Sequence, residues 1–475
     1  MTNFKTDNFL SYDLANWAAG LTYEDLSSEA VERAKLFWYD SLGCALGGSR
    51  QEDAEILLAH YRDMNPSGEG PCTVFASGLR TNVVDAALLN AHMIRSMDYN
   101  DIYWKADPSH PSDLIAGPLA LCELRGLSGK ELLVGTIIAY EIEMRLAECG
   151  QPGVREYGWH HATLTGFAAP IAAGRMLGLS PEQIVNATGI SAARTGSLGA
   201  VTAGKLTNMK NTVDPWATRV GVESALWAER GYSGPEHIFD GKEGLFHVFG
   251  HAQCNDQSCT FDAELLTNDL PSKPGDHYRI LDCGMKSFPI EALSHAPLTA
   301  MMKCVAENDI RPEQVAEIQV EVIARAADIL GDPTKYRPTG KETADHSLPY
   351  SLAVGLIDGK VTPLQFKQER IDDPALLPVM DMVKVVPNEQ FEELFPEFQP
   401  SRVTLTLTDG RSFAKQVDVP KGDPRDPMTP EEIGVKFTAL GRDVVGEPRC
   451  EVLGEKIMQL ENETTVDALM QMMVV

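Results

Sequence analysis

Apolar residues recur at three- and four-residue spacing from about residue 9 to residue 250, the period of helices that bury one face. Start signals punctuate that pattern. Ser128-Gly129-Lys130-Glu131 reads as a capping box opening the run Leu132 to Ile142. Ser180-Pro181-Glu182-Gln183 combines an N-cap, a proline at the first helical position and a reciprocal glutamine. Glu29 to Leu46 predicts an amphipathic helix ended by Gly47-Gly48. The stretch Leu132 to Ile142 is apolar on nearly every face, which places its helix inside a bundle.

After about residue 270 the period shortens. Pro271-Ser272-Lys273-Pro274-Gly275-Asp276 has the composition of a linker. Glu317 to Ile323 then alternates, and Arg402 to Leu407 runs into the hairpin turn Thr408-Asp409-Gly410 and on to Ser412-Phe413-Ala414. Beyond Pro420-Lys421-Gly422-Asp423-Pro424 the helical pattern returns, opened by Thr429-Pro430-Glu431-Glu432. The sequence therefore predicts a mainly α fold: a large helical domain from residues 1–270 and 425–475, with a smaller α+β domain, 271–424, inserted between its parts. A chain of 475 residues exceeds what one core usually holds, which agrees with two units.

Charge narrows the function. A formal net charge of −27 argues against nucleic-acid binding, which needs a surplus of Lys and Arg on some face. It also repels anions at long range, so an anion site must rely on a few cations clustered within a Debye length of about 8 Å. No stretch approaches the roughly 18 apolar residues that would span a membrane, and the N-terminus lacks the apolar core of a signal peptide. The cytoplasm is the expected compartment, with a cleaved organellar presequence left open. Nine cysteines, an odd number with no C-x-x-C, read as reduced thiols. Cys254 and Cys259 are the closest pair, and no further thiol follows at zinc or iron–sulfur spacing, so an aconitase-like cluster is not expected.

Four places could carry chemistry. The segment Ser96 to Asp113 gathers carboxylates, an imidazole, the ammonium of Lys105 and aromatics, raw material for acid–base work, although a solvated loop shaped by Pro108 and Pro111 has the same composition. His160 and His161 are adjacent, so on a helix or turn they point to different sides and only one easily faces a ligand; a capping or core histidine is the alternative. Their spacing does not converge on a metal. Gly199 to Leu206 nearly spells a phosphate-binding loop, but Leu206 stands where a hydroxyl must reach magnesium; bringing Lys205 or Lys210 toward an anion is the better use. Lys286 stands near the domain junction, where pockets form; alone it reads as an exposed linker lysine.

Taken in order, these segments resemble the MmgE/PrpD family along nearly the whole chain. Met97-Asp98-Tyr99-Asn100-Asp101 with Ser109-His110-Pro111-Ser112-Asp113 is similar to the family's L-D-F-N-D and H-P-S-D segments. Met209-Lys210-Asn211 and Gly231 to Glu236 resemble its W-K and G-x-x-G-P-E stretch, and Glu342-Thr343-Ala344-Asp345-His346-Ser347-Leu348-Pro349-Tyr350 its E-T-A-D-H-S-x-P-Y signature. The resemblance implies a helical domain built from both chain ends, an α+β lid, a homodimer, and a cleft site that needs no metal or organic cofactor. By the same carry-over Asp98, His110, His160, Lys210 and Lys286 are the catalytic candidates, with Asn100, Lys105, His161 and Tyr336 as substrate-binding candidates.

The implied activity is dehydration of 2-methylcitrate or a closely related polycarboxylate. A proton beside a carboxylate is weakly acidic, so its removal needs cations for the enolate-like charge and a positioned base. Lys210 and Lys286 supply charge, His160 or Asp98 takes the proton and His110 returns one, with the acid and base labels exchangeable. The chain also departs from the family. Ile102 stands where Ser or Thr is common, Leu293 where a histidine is found, and Val213 where relatives resembling cis-aconitate decarboxylase carry histidine, which speaks against that reaction. A decarboxylase or epimerase on the same scaffold is the nearest alternative, and a non-catalytic polycarboxylate-binding protein the more distant one.

Overall fold

A computed structural model describes residues 9–203, 206–250, 253–254, 257–258 and 260–475, so Lys205 and Cys259 lie outside the described residues. Helix accounts for 59% of the structure and strand for 10%, a mainly α protein. Among the described residues no helix is long and apolar enough to cross a membrane.

The first half consists of α1 (Leu10–Gly20), α2 (Ser28–Gly48), α3 (Glu52–Met64), α4 (Val83–Arg95), α5 (Ser112–Arg125), α6 (Gly129–Cys149), α7 (Ala162–Met176), α8 (Pro181–Ala192) and α9 (Met209–Glu229). As its apolar run requires, α6 is buried nearly throughout and packs between α5 and α7. Ser128 caps it by accepting the Glu131 N–H at 3.3 Å. The reciprocal half of that box is missing because the Glu131 carboxylate instead takes a 2.8 Å hydrogen bond from Arg175 on α7, trading a local bond for a helix-to-helix one. The boxes at Ser180/Gln183 and Thr429/Glu432 close in both directions. Gly48 ends α2 where a Cβ would lie 2.0 Å from the Met93 carbonyl, so a larger residue would push α2 off α4.

Among the described residues two large apolar cores form, beside a small cluster of Cys44, Met97 and Tyr99. One runs from Leu14 to Met285 and resumes from Ile433 to Met473, and the other gathers residues from Ile290 to Val417 together with Trp104. The second core lies under a four-stranded sheet ordered Val383–Pro387, Val315–Val322, Ser401–Leu407, Ser412–Val417, in which the first pair is parallel and the others antiparallel. Ile318, Val320 and Val322 alternate inward on the strand expected from residues 317–323, and the 401–407 and 412–417 strands form the expected hairpin. The helix His295–Asn308 covers the sheet.

The chain ends return to the first core through the helix Pro430–Val445, which packs on α2. Its buried Lys436 pairs with Asp40 of α2 at 2.6 Å and donates to the carbonyls of Tyr99 at 2.6 Å and Lys286 at 3.0 Å. One ammonium thus ties the C-terminal helix to both chain segments that flank the candidate site.

Inside α6, Glu143 is fully buried and accepts the hydroxyls of Ser109 and Thr165, each at 3.0 Å. Burial, reinforced by the nearby Asp214 charge, pushes its carboxyl up to about 8. In the unfolded chain the same group ionises near pH 4.3. The folded state therefore holds an extra proton at neutral pH, and this contribution fades as pH rises through about 8. Glu143→Gln should match the wild type at pH 7, and its urea midpoint should fall less between pH 7 and 9; parallel losses would assign the alkaline sensitivity to other groups.

Candidate active site

A three-stranded ribbon assembles the site. Asp101–Trp104 is its central strand, pairing with Pro108–Ser109 on one side and Gly284–Met285 on the other. Each strand delivers a residue just beyond its end: Asp98 precedes the first, His110 follows the second and Lys286 follows the third. Asp98 sits in the left-handed region at φ +51°, a conformation that Asp tolerates better than most residues and that turns its carboxylate inward.

Helix ends supply the rest. His110 stands just before α5, His161 is the N-cap residue of α7 and Lys210 is the second residue of α9, so three helix N-termini, each partly positive, meet near one point. Arg95 comes from the last turn of α4. These side chains line one cavity of about 50 Å³ together with His160, Arg155, Glu291 and His346, against apolar walls from Ile102, Trp104, Pro108, Ala292 and Ile329. Two larger clefts, of about 430 and 960 Å³, hold one imidazole, His295, and none, respectively.

Asp98 is the electrostatic centre. Its Oδ1 accepts from Arg95 and, at 2.8 Å, from Lys286, while its Oδ2 lies 3.4 Å from Lys210. Burial alone would raise its pKa, but Lys210, Lys286 and Arg95 overcome that and hold the carboxyl well below the usual range. Lys210 also lies 3.8 Å from Glu342 and 4.0 Å from Asp345, and among the described residues its ammonium makes no conventional hydrogen bond. Burial pulls the Lys286 amine down, partly offset by Asp98.

The imidazoles are distinguishable by their partners. Arg95 donates to His110 Nε2 at 3.2 Å, and since a guanidinium only donates, His110 must carry its proton on Nδ1, which faces the Asp101 carbonyl at 2.7 Å. His160 is the reverse: its Nδ1 accepts the Ala162 N–H at 3.2 Å, leaving the proton on Nε2. Burial first, then Arg95 for His110 and His161 for His160, hold both well below the ordinary histidine value. A neutral His110 with an Nε2 lone pair does not suit the proton-donor role expected for it.

The adjacent histidines differ from expectation because His160 precedes α7 and the chain bends there, so the helical offset does not apply. Both rings line the cavity, 3.9 Å apart at 35°. His161 Nε2 lies 3.4 Å from Asp214, which His161 keeps well below the normal carboxylate range against the upward pull of burial.

Three candidates stand elsewhere. Lys105 follows a strand whose Ile102 and Trp104 line the cavity; it is not part of that lining, pairs with Glu397 at 3.4 Å and lines the cleft of about 430 Å³ together with Ile102, Trp104 and Lys286. Asn100 is buried, donating to Ser112 at 2.8 Å and Asp113 at 2.9 Å, and so braces the ribbon against α5. The Tyr336 hydroxyl donates to the Val383 carbonyl at 3.0 Å, which holds its ring on the second core. Val213 is buried on α9 outside the cavity lining, and Leu293 belongs to the second core. Arg95, Arg155, Glu291 and His346 were not foreseen. Arg95 could have been found three residues before Asp98, His346 within the E-T-A-D-H-S-x-P-Y signature and Glu291 as the glutamate that matches the family segment in which Leu293 replaces a histidine, whereas Arg155 carries no signal of its own.

Comparison with known proteins supports one grouping. The MmgE/PrpD N-terminal domain model matches residues 12–257, and the MmgE/PrpD C-terminal domain model matches residues 288–462. A cis-aconitate decarboxylase-like protein, oryM, of Aspergillus oryzae is 26% identical, covering 99% of this chain and 98% of the relative. A cis-aconitate decarboxylase of Aspergillus terreus is 24% identical over 97% and 95%. A mitochondrial 2-methylcitrate dehydratase of Yarrowia lipolytica is 26% identical over 94% and 86%.

Proposed function

Because the chain belongs to the MmgE/PrpD family, we propose that it is a lyase acting on a small di- or tricarboxylate, and specifically a hydro-lyase that dehydrates 2-methylcitrate or a near relative of it. One observation carries the reading: Lys210, Lys286, Arg95 and Arg155 converge on a cavity that also holds imidazoles, in a chain whose net charge is −27. Three buried cations, Lys210, Lys286 and Arg95, with the half-buried Arg155 favour an anion with more than one carboxylate. Proton removal next to a bound carboxylate places a second negative charge on it, and ammonium groups fixed in advance stabilise that charge without reorganising. Asp98 then serves as the counter-ion that keeps the cations in place, in preference to acting as a base, since three cations compete for its lone pairs.

Decarboxylation is the second reading, favoured by relatives named cis-aconitate decarboxylase that cover 97–99% of the chain. Incubation of purified protein with 2-methylcitrate, citrate and cis-aconitate, following the ultraviolet absorbance of a conjugated product and the release of carbon dioxide, separates the two. A new double bond without carbon dioxide supports the hydro-lyase; carbon dioxide alone moves the assignment to the second reading; inertness toward all three overturns both. The family likeness also carries a homodimer, which sedimentation would test.

Ile102 points to the substituent. Where a hydroxyl residue is common in the family, this chain sets an apolar side chain beside Ala292 and Ile329, a wall suited to an alkyl group. A buried methyl is worth about 1–3 kcal/mol in such discrimination. Ile102→Thr should reduce the preference for 2-methylcitrate over citrate by about tenfold in kcat/KM, and an unchanged ratio would remove Ile102 from substrate selection.

A further inference from the structure

We propose that His346, held by Asp345, is the base that removes the proton beside the substrate carboxylate, an assignment that rests on the lyase reading. His346 lines the cavity from the part of the chain that builds the second core, whereas the other imidazoles come from segments of the first. Its Nδ1 lies 2.6 Å from Asp345 Oδ1. Asp345 is kept ionised against burial by Lys210 and Lys341, with Lys341 at 3.1 Å and Lys210 at 4.0 Å, so it can only accept. His346 therefore donates from Nδ1 and presents the lone pair of Nε2, and among the described residues that nitrogen has no hydrogen-bond partner.

The other groups are engaged. Arg95 occupies the lone pair of His110, the proton of His160 sits on the nitrogen free of the backbone, and His161 turns its Nε2 to Asp214. Asp98 answers to three cations. His346 combines an uncommitted nitrogen with a carboxylate 2.6 Å behind it, closer than the 3.4 Å between His161 and Asp214, and that arrangement fixes a tautomer and stabilises the imidazolium once formed. Burial and then Lys210 hold it down to about 4, so it is neutral and able to accept at pH 7. A substrate carboxylate drawn to Lys210 offsets that cation and raises the basicity of Nε2 when it is needed.

The step balances. The C–H bond breaks, its proton passes to Nε2, and the electron pair enters the adjacent carboxylate facing the ammonium groups. The pair then returns to form the carbon–carbon double bond as the C–O bond breaks; the departing hydroxide takes a proton from the Lys286 ammonium and leaves as water. One proton exchanged through solvent resets His346 and Lys286.

The test is exchange of the substrate C–H with deuterium from solvent, alongside turnover of 2-methylcitrate by wild type, H346Q, H346A and D345N. H346Q should lose exchange and kcat by about 100- to 10,000-fold with little change in KM, and added imidazole should restore part of the activity of H346A. D345N, which keeps the ring but loses its carboxylate, should move the acid limb of kcat/KM to lower pH, and it carries the test should the His346 variants not fold. Exchange by H346Q at the wild-type rate overturns the assignment and leaves the lyase reading standing. A wild type that neither exchanges nor turns over any of the three acids removes both.

Discussion

Lys210→Ala should lower kcat for the 2-methylcitrate reaction by about 100- to 1,000-fold, the loss seen when one fixed donor to a developing oxyanion is removed, while leaving the protein folded. Lys210 is buried and sits at the positive end of α9, and among the described residues its ammonium makes no conventional hydrogen bond, so it remains available to a ligand. Its removal leaves no carboxylate alone. Asp98 keeps Arg95 and Lys286, and Glu342 and Asp345 keep Lys341 at 3.2 and 3.1 Å. Steady-state kinetics beside a urea denaturation curve checks both halves; a variant with kcat within tenfold of wild type would show that Lys210 is structural.

The largest stability effect is expected at the other end of the same ion cluster. Asp98→Asn preserves size and tolerance of the left-handed backbone but leaves Arg95, Lys210 and Lys286 buried without their shared anion. Breaking a buried ion pair in this way costs about 3–5 kcal/mol. Because Lys286 then lacks a carboxylate partner, while Arg95 keeps Asp113 and Lys210 keeps Glu342 and Asp345, citrate should raise the urea midpoint of the variant more than that of the wild type, since a ligand that binds only the folded state stabilises it by mass action. Equal shifts would mean that Asp98 does not compete with a bound polycarboxylate for these cations.

The helical half was legible because its signals are local. Period, caps and glycine ends define α2, α6 and α8 within the sequence that forms them, and the alternation of 317–323 and 402–407 defines their strands. What failed was what depends on distant partners. The Ser128 box opened because Arg175, more than forty residues away, claimed Glu131. Lys105 looked like a ligand by composition, yet its ammonium pairs with Glu397, nearly three hundred residues away, in the neighbouring cleft. Asn100 and Tyr336 were spent on Ser112, Asp113 and Val383, none of which spacing could reveal.

The site itself was half visible. Asp98, His110, His160, His161, Lys210 and Lys286 came from motif likeness and share one cavity. The tautomers came only from coordinates, because they depend on Arg95, Asp101 and Ala162 approaching in space, and they change which imidazole can accept a proton. Lys436 escaped notice for the same reason, since nothing in a C-terminal helix announces that its ammonium holds Tyr99 and Lys286 together.

The most direct measurement is a crystal structure of the protein with 2-methylcitrate bound. The expected result is carboxylate oxygens within hydrogen-bond distance of both Lys210 Nζ and Lys286 Nζ, with the carbon that loses its proton turned toward His346. A ligand whose carboxylates touch neither amine, wherever it is seated, would contradict it.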